Sequence, residues 1–240
     1  MKISCVICTR NSSGLLPVTL DGFLAQDSEA FEIVIVDGGS TDGTVDVIRS
    51  YEPRFSGRLL WVSEPDHGIY DAMNKGIRMA TGEYVNVIGA GDWLDPETIS
   101  VATTLLDECP GVGAIYGKTS VWSRDRRTSS VVWSSPSDLP MLPMQHPSLL
   151  YRKDLHDRFG PYDERFPIAA DYLFCLRAFH DGRVSVAVSD RVFSNFVMDG
   201  ASSSHPWRRM IENARARREV GLPGRLIGDF RAYAKSRLVS

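Results

Sequence analysis

Two acidic loops, each set where a hydrophobic run ends, carry the residues best suited to chemistry. The first is Asp37-Gly38-Gly39-Ser40-Thr41-Asp42-Gly43-Thr44, directly after Phe31-Glu32-Ile33-Val34-Ile35-Val36. The second is Gly89-Ala90-Gly91-Asp92, directly after Tyr84-Val85-Asn86-Val87-Ile88. A carboxylate such as Asp37 can accept a hydrogen bond from a ring N–H of uracil, thymine or guanine, and the glycines beside it let a ligand approach the backbone. It can equally serve a turn by bonding nearby amides. Asp92 offers the hard oxygen that Mg²⁺ or Mn²⁺ prefers, and one carboxylate beside a loop without side chains suits a metal held mainly by a diphosphate. A turn or helix-capping aspartate is the alternative there. Open α/β sheets bind ligands at the carboxyl ends of their strands, so two acids delivered to that edge point to a nucleotide and a cation.

Such loops need strands to carry them and helices to return the chain. Residues 3–8 read as a strand and 13–26 as a helix. The strand 32–36 precedes a helix over about 41–51, with Ser40 or Thr41 as a natural N-cap and Asp42 in the first turn, where the helix dipole favours negative charge. Residues 59–63 form a third strand. Ile69, Ala72, Met73, Gly76, Ile77 and Ala80 recur at three- and four-residue spacing, which gives a helix one apolar face. Tyr70, Asp71, Asn74, Lys75 and Arg78 fall on the other. Gly82 ends that helix; a strand over 83–88, a helix over 96–109 and a strand over 112–121 follow. Beyond them the pattern predicts a hairpin over 122–133, a loop over 134–144, a strand over 146–152, a helix over 170–180 and one or two strands within 184–196. Two basic helices, 206–220 and 223–238, break at Gly221-Leu222-Pro223-Gly224. Alternating β and α elements predict an α/β fold, with a parallel-rich sheet covered by helices on both faces and antiparallel edges added later.

Other chemistries lose support. The first strand-to-helix turn reads Cys8-Thr9-Arg10-Asn11-Ser12-Ser13, without the glycines of a dinucleotide site, and no G-x-x-x-x-G-K-[ST] loop is present. Cys5 and Cys8 have redox spacing but sit inside a strand, where residues three apart point to opposite faces. They read as buried thiols.

In order along the chain stand Ile7-Cys8-Thr9-Arg10-Asn11, the stretch from Ile33 to Thr44, Glu64-Pro65-Asp66-His67-Gly68-Ile69-Tyr70-Asp71-Ala72-Met73-Asn74-Lys75-Gly76, Ala80-Thr81-Gly82-Glu83-Tyr84 and Gly91-Asp92. Gln145-His146, Phe159-Gly160-Pro161-Tyr162-Asp163 and Ala169-Ala170-Asp171-Tyr172 follow. With these motifs the chain resembles the inverting family-2 glycosyltransferases of the GT-A fold, of the bacterial polysaccharide and glycolipid type, over about residues 2–205. The resemblance implies a GT-A catalytic domain over 1–205, a Rossmann-like mixed sheet sandwiched by helices. Its donor half covers about 1–122 and its acceptor half about 123–205, with a helical extension over 206–240. It implies a nucleotide-sugar donor, a glycan or lipid-linked acceptor and a divalent cation, Mg or Mn.

Residue by residue, the resemblance implies that Thr9 and Asp37 line the base and ribose, with Arg10 and Asn11 in the same loop. Asp71, Asn74 and Lys75 would shape the donor site. Asp92 matches the last acid of the family's metal-binding motif, and Asp171 matches the general base, although an aspartate there can also cap its helix. Gly91, placed among the nucleotide-sugar-binding residues, stands where the family usually has another aspartate; its loss would weaken ribose or metal contacts, shift them to Asp95 or Asp66, or mark a degenerate site. Two rivals follow: a non-catalytic nucleotide-sugar or glycan-binding protein with a degenerate metal motif, and a sugar nucleotidyltransferase. The latter lacks a glycine-rich, basic triphosphate loop near Thr9. His146 reads as structural, and His205 as part of a loop over the diphosphate. Trp93 is a candidate acceptor wall, while Trp122 and Trp133 suit hairpin packing.

Composition is that of an ordinary globular chain of 240 residues with a net charge of −3. The charge is unevenly spread. From residue 207 onward nine Lys/Arg stand against three Asp/Glu, leaving 18 against 27 in the body. An acidic body argues against nucleic acid as the main partner. The basic tail, with an apolar stripe from Leu222 to Ala234, suits contact with an anionic membrane surface. The amino terminus does not read as a signal peptide, and apolar runs fall short of the ~18 residues of a spanning helix. The expectation is a cytoplasmic protein that can sit on the inner face of the membrane.

Overall fold

Short runs of β-branched and aromatic residues build the first strands, and each is followed by a helix. The computed structural model describes residues 3–123, 125, 127–132, 145–197 and 206–224. In it β1 (Ile3–Thr9), β2 (Phe31–Asp37), β3 (Leu59–Ser63) and β4 (Tyr84–Gly89) alternate with α1 (Leu16–Leu24), α2 (Thr44–Tyr51) and α3 (Ile69–Met79). The chain continues through β5 (Trp93–Leu94), α4 (Thr98–Glu108), β6 (Ala114–Trp122), β7 (Ser129–Val132), β8 (Leu149–Arg152) and α5 (Leu155–Phe159). It ends in α6 (Ala170–Phe179), β9 (Val186–Val197) and α7 (Pro206–Glu219).

All nine strands join one sheet in the order β3-β2-β1-β4-β8-β6-β9-β5, with β7 paired to β6. The first four strands are parallel; β8 enters antiparallel to both β4 and β6, and β9 runs parallel to β6. Chain segments from before and after residue 122 thus share a single hydrogen-bonded ladder. The α/β mixed sheet predicted from the alternation is the one observed.

Alternate residues of the buried strands feed two cores, one on each face. Ile3, Cys5 and Ile7 face the side of α1 and α4, whereas Val6 and Cys8 face the side of α3 and α6. Cys5 and Cys8 therefore point to opposite faces as free, buried thiols, as their position within a strand requires. Burial raises both thiols above their ordinary range, so they stay protonated.

Two local expectations change and one is refined. Ser40 and Thr41 do not cap α2: Gly43 holds that position in a left-handed conformation, and the helix opens at Thr44. On α3, Tyr70 and Asn74 lie on the polar side as expected but are buried, because the segment from Tyr162 to Asp171 covers them. The residues expected as a strand from 146 begin with a 3₁₀ turn, His146–Ser148, before β8. Trp133, the loop 134–144, His205 and the second basic helix lie outside the described residues.

At the amino edge of the sheet, the buried Glu32 fastens β2 to the turn before β4. Its carboxylate accepts from Ser4 Oγ at 2.5 Å, Thr81 N at 2.6 Å and Thr81 Oγ1 at 2.8 Å. Burial alone would raise this carboxyl, but the hydrogen bonds from Ser4, Thr81 and Gly82 outweigh it and hold it below the ordinary value. A depressed folded-state pKa adds stability that is present above the unfolded value of about 4.3 and is lost as pH falls through the lower folded value. Glu32→Gln should therefore cost about 1–3 kcal/mol at pH 7 in urea titrations. The gap to the natural protein should narrow below about pH 4; a gap independent of pH contradicts this account.

Candidate functional site

The register of the parallel strands builds a straight edge of polar groups. Ser63 pairs with Asp37, Asp37 with Thr9, and Cys8 with Gly89, so four strand ends finish side by side. The chain winds from β1 to β2 and β3 in one direction, then crosses back to β4 on the other side. The switch point, where such sheets open a crevice for ligands, thus lies between Thr9 and Gly89.

Asp37 is fully buried there. Its Oδ2 accepts from Ser40 N at 2.9 Å and Ser63 Oγ at 2.7 Å, and its Oδ1 accepts from Ser40 Oγ. The turn role weighed for Asp37 is thus present; a carboxylate has about four lone-pair sites, so the turn need not exhaust it. Beside it, Thr9 is buried and its Oγ1 has no hydrogen-bond partner among the described residues. A buried hydroxyl without a partner costs free energy, a cost that a ligand's polar atom would remove.

The next residues lace two loops together. Asn11 takes a left-handed φ of 50°, its Oδ1 accepts from Thr41 N at 2.9 Å, and its amide donates to Ser40 Oγ at 2.7 Å. Ser13 N donates to Asp42 Oδ2 at 3.0 Å. The Thr44 hydroxyl, followed by the Ser13 amide, holds the Asp42 carboxyl well below the usual range. Arg10 is exposed. A Cβ on Gly38 would meet Asp66 Oδ2 at 2.2 Å and Arg10 Cδ at 3.4 Å, so the glycine lets Asp66 and Arg10 approach the end of β2.

Of the three candidate site residues on α3, Asp71 and Lys75 brace the loop after β3. Lys75 Nζ lies 3.0 Å from Glu64 Oε1, 3.2 Å from Asp71 Oδ2 and 3.2 Å from Pro65 O. Asp71 Oδ2 accepts from His67 N at 3.0 Å, the main reason its carboxyl is lowered. Asn74 has another task. It donates to Tyr162 O at 3.0 Å and accepts from Tyr162 N at 2.9 Å, tying α3 to the segment before α6.

Asp92 follows β4 and is buried. Its Oδ1 accepts from Val197 N at 2.9 Å, while Oδ2 lies where a Cβ on Gly89 would come within 3.2 Å. Gly91 adopts φ +100° and donates its amide to Thr19 Oγ1 at 2.8 Å. The glycine in place of the family's aspartate thus occupies a backbone conformation that side chains resist. Trp93 and Trp122 pack together beside this loop, ring centroids 5.8 Å apart, and Trp122 donates to Asn195 Oδ1 at 2.9 Å. Among the described residues no three His, Cys, Asp or Glu side chains converge as a metal cluster.

Asp171 is the second residue of α6, whose N-cap is Ala169. Its Oδ1 accepts from Tyr70 OH at 2.8 Å and Tyr172 N at 2.8 Å. Tyr70, in the first turn of α3, therefore bridges the donor-side helix to Asp171. Burial, then the charge of Asp171, raises the Tyr70 hydroxyl far above its ordinary pKa, so it remains a donor. His146 lies in a buried chain: Nε2 to Tyr162 OH at 2.8 Å, Tyr162 OH to Tyr151 OH at 2.5 Å, and Tyr151 OH to His156 Nε2 at 3.0 Å. Burial lowers both histidines, His156 to about 4. Sequence patterns did not single out Tyr70 as an Asp171 partner, nor Glu212, which reaches the same place from α7; neither contact leaves a local signal.

An open sheet with a switch point, acidic loops at its carboxyl edge and an inserted antiparallel half define a GT-A-type fold. The pattern of the family described as glycosyl transferase family 2 matches residues 4–168, and the chain belongs to that family. A glycosyltransferase of Mycobacterium bovis, named for PGL/p-HBAD biosynthesis, is 34% identical over 181 residues, covering 73% of this chain and 69% of that protein. Staphylococcus aureus TarS bound to UDP superposes with a TM-score of 0.69 at 23% identity over 90% of this chain and 65% of that one. A Pyrobaculum calidifontis mannosyltransferase in complex with GDP-Man and Mn²⁺ gives 0.69 at 20% identity over 95% and 66%. A longer TarS structure is covered only to 40% of its length.

The Gly91 geometry gives a direct test. Gly91→Ala should lose about 1–2 kcal/mol in urea titrations, the cost of forcing a Cβ into a left-handed backbone. No loss would mean that the loop relaxes freely.

Proposed function

We propose that this glycosyltransferase moves a sugar from a nucleotide donor to a hydroxyl of a glycan or lipid-linked acceptor, with inversion at the anomeric carbon. The observation that carries the reading is the switch-point edge itself, where the unpartnered Thr9 Oγ1 sits in register with Asp37, one residue beyond the Cys8–Gly89 pair. The base and ribose would lie along Thr9, Arg10, Asn11 and Asp37. Asp71, Asn74 and Lys75 would act behind this surface, by holding the 64–68 loop and the segment at Tyr162 in place. UDP, UDP-GlcNAc and GDP-Man in the related structures support a nucleoside diphosphate leaving group.

A divalent cation, Mg or Mn, fits Asp92: a hard carboxylate oxygen faces a glycine whose missing Cβ leaves room beside it. Such an ion supplies charge stabilisation to the departing diphosphate. The mannosyltransferase complex with Mn²⁺ supports the same choice. Gly91 would serve the loop through its backbone.

Asp171 would take the proton of the acceptor hydroxyl as that oxygen attacks from the face opposite the leaving group. It stands in the first turn of α6, one residue past the start, where Tyr70 and the Tyr172 amide both hold its Oδ1. A positioned base of this kind contributes about 10²–10⁴-fold.

Contact with an anionic membrane is part of the reading. No described helix is long and apolar enough to cross a membrane. On α7, Trp207 and Ile211 are 63% and 62% exposed, and Arg208, Arg215 and Arg218 are exposed on the same helix. Basic groups near a charged leaflet contribute about 1 kcal/mol each. Arg217 is an exception; it is buried and its Nε donates to Pro223 O at 2.9 Å. A cytoplasmic enzyme on the inner membrane face would meet a lipid-linked acceptor there.

The test joins binding and turnover. A thermal-shift panel of UDP-, GDP- and dTDP-sugars, each with and without Mn²⁺, should yield at least one stabilising donor whose effect grows with the metal. Asp171→Asn should keep that shift while turnover falls about 10²–10⁴-fold. Binding without turnover in the natural protein would favour a non-catalytic module.

A further inference from the structure

Helix α6 begins without a cap of its own. Its N-cap residue is Ala169, a poor choice because its side chain cannot accept a hydrogen bond, and helix starts leave up to four amides unsatisfied. A carboxylate from α7 holds the two amides just ahead of this helix start. Glu212 is buried, and its Oε2 accepts from Ile168 N at 2.8 Å and Ala169 N at 3.1 Å. Its Oε1 accepts from Arg208 Nε at 3.2 Å, which orients the carboxylate from its own helix.

Tyr70 completes the arrangement from the opposite side. Its hydroxyl lies 2.9 Å from Ile168 O and 2.8 Å from Asp171 Oδ1. The Ile168 N–H is thus held by Glu212, and the single Tyr70 hydroxyl proton is shared between Ile168 O and Asp171 Oδ1. The described hydrogen bonds of Asp171 both fall on Oδ1.

We propose that Glu212 and Tyr70 are positioning residues that fix Asp171 for proton transfer, so that α7 is a working part of the catalytic unit. The proposal rests on the reading of Asp171 as the base. Glu212 holds the two amides just ahead of the helix, while Asp171 Oδ1 accepts the first-turn amide of Tyr172. Tyr70 sets the rotamer of the Asp171 carboxylate through the same Oδ1, so that Oδ2 would face the acceptor.

The test measures nucleoside diphosphate released by hydrolysis of an equimolar mixture of UDP-glucose, UDP-N-acetylglucosamine, GDP-mannose and dTDP-rhamnose with Mn²⁺. Glu212→Ala and Tyr70→Phe should each lower kcat by about tenfold to hundredfold, as small misplacements of a reacting group do, with KM unchanged. Glu212→Gln should recover most of the rate, because its amide oxygen can accept the same two N–H groups. Met210→Ala, which removes buried packing from α7 without touching Glu212, should lower Tm and leave kcat alone. The proposal falls if Tyr70→Phe and Glu212→Ala turn over like the natural protein, or if Met210→Ala loses as much kcat at an equal fall in Tm. If Glu212→Ala does not fold, an unchanged kcat in Tyr70→Phe is enough to overturn it. Asp171→Asn run beside them separates the premise: full release in that variant removes the base itself, whatever the other variants do.

Discussion

The close seat of α3 on the sheet is the constraint on which the site depends. A Cβ on Gly76 would lie 2.3 Å from Val6 Cγ1, so only glycine lets this helix rest directly on β1. A bulkier residue would lift the helix and with it three separate attachments. Its first turn carries Tyr70 to Asp171, its middle carries Asn74 to Tyr162, and Lys75 reaches back to the loop after β3. One backbone contact in the core thereby sets the distance between the nucleotide edge and the proposed base.

Two kinds of polar group meet in this fold, and burial separates their roles. Glu32, Asn74 and the His146–Tyr162–Tyr151–His156 chain are enclosed and use their hydrogen-bonding capacity on the protein itself. Such closed networks fix geometry, since a buried polar group without a partner is costly. Among the described residues three buried side-chain atoms lack a partner, Thr9 Oγ1, Arg58 Nη1 and Asn86 Oδ1, and of these Thr9 stands at the carboxyl end of the parallel strands. The difference marks where a ligand, and not the chain, is expected to complete the bonding.

The local elements were legible because their signals are local. β1 to β4 announce themselves as short apolar runs, and the three- and four-residue spacing from Ile69 to Ala80 marks α3. The acids at the ends of β2 and β4 could be read from the same alternation. Partners far apart in sequence could not. Tyr70 and Asn74 fall on the polar side of a helical wheel, and only the segment from Tyr162 to Asp171, some 90 residues later, covers them. Glu212 sits in a basic segment that reads as a surface helix, although its bonds lie inside the protein. Gly43, not Ser40 or Thr41, is the N-cap of α2; Ser40 is engaged with Asp37 and Asn11, and the Thr41 amide with Asn11.

The bond from Val197 N to Asp92 Oδ1 spans 105 positions, and β5 beside it pairs with β9. On a ribosome, the first four strands emerge and can associate long before β9 exists. The loop bearing Asp92 must then wait, unanchored, until the last strand is threaded between β6 and β5. Contacts this distant along the chain slow folding, since loop closure precedes any gain from pairing. A nascent chain stalled short of residue 197 would thus have its nucleotide edge assembled while Asp92 still lacked this anchor.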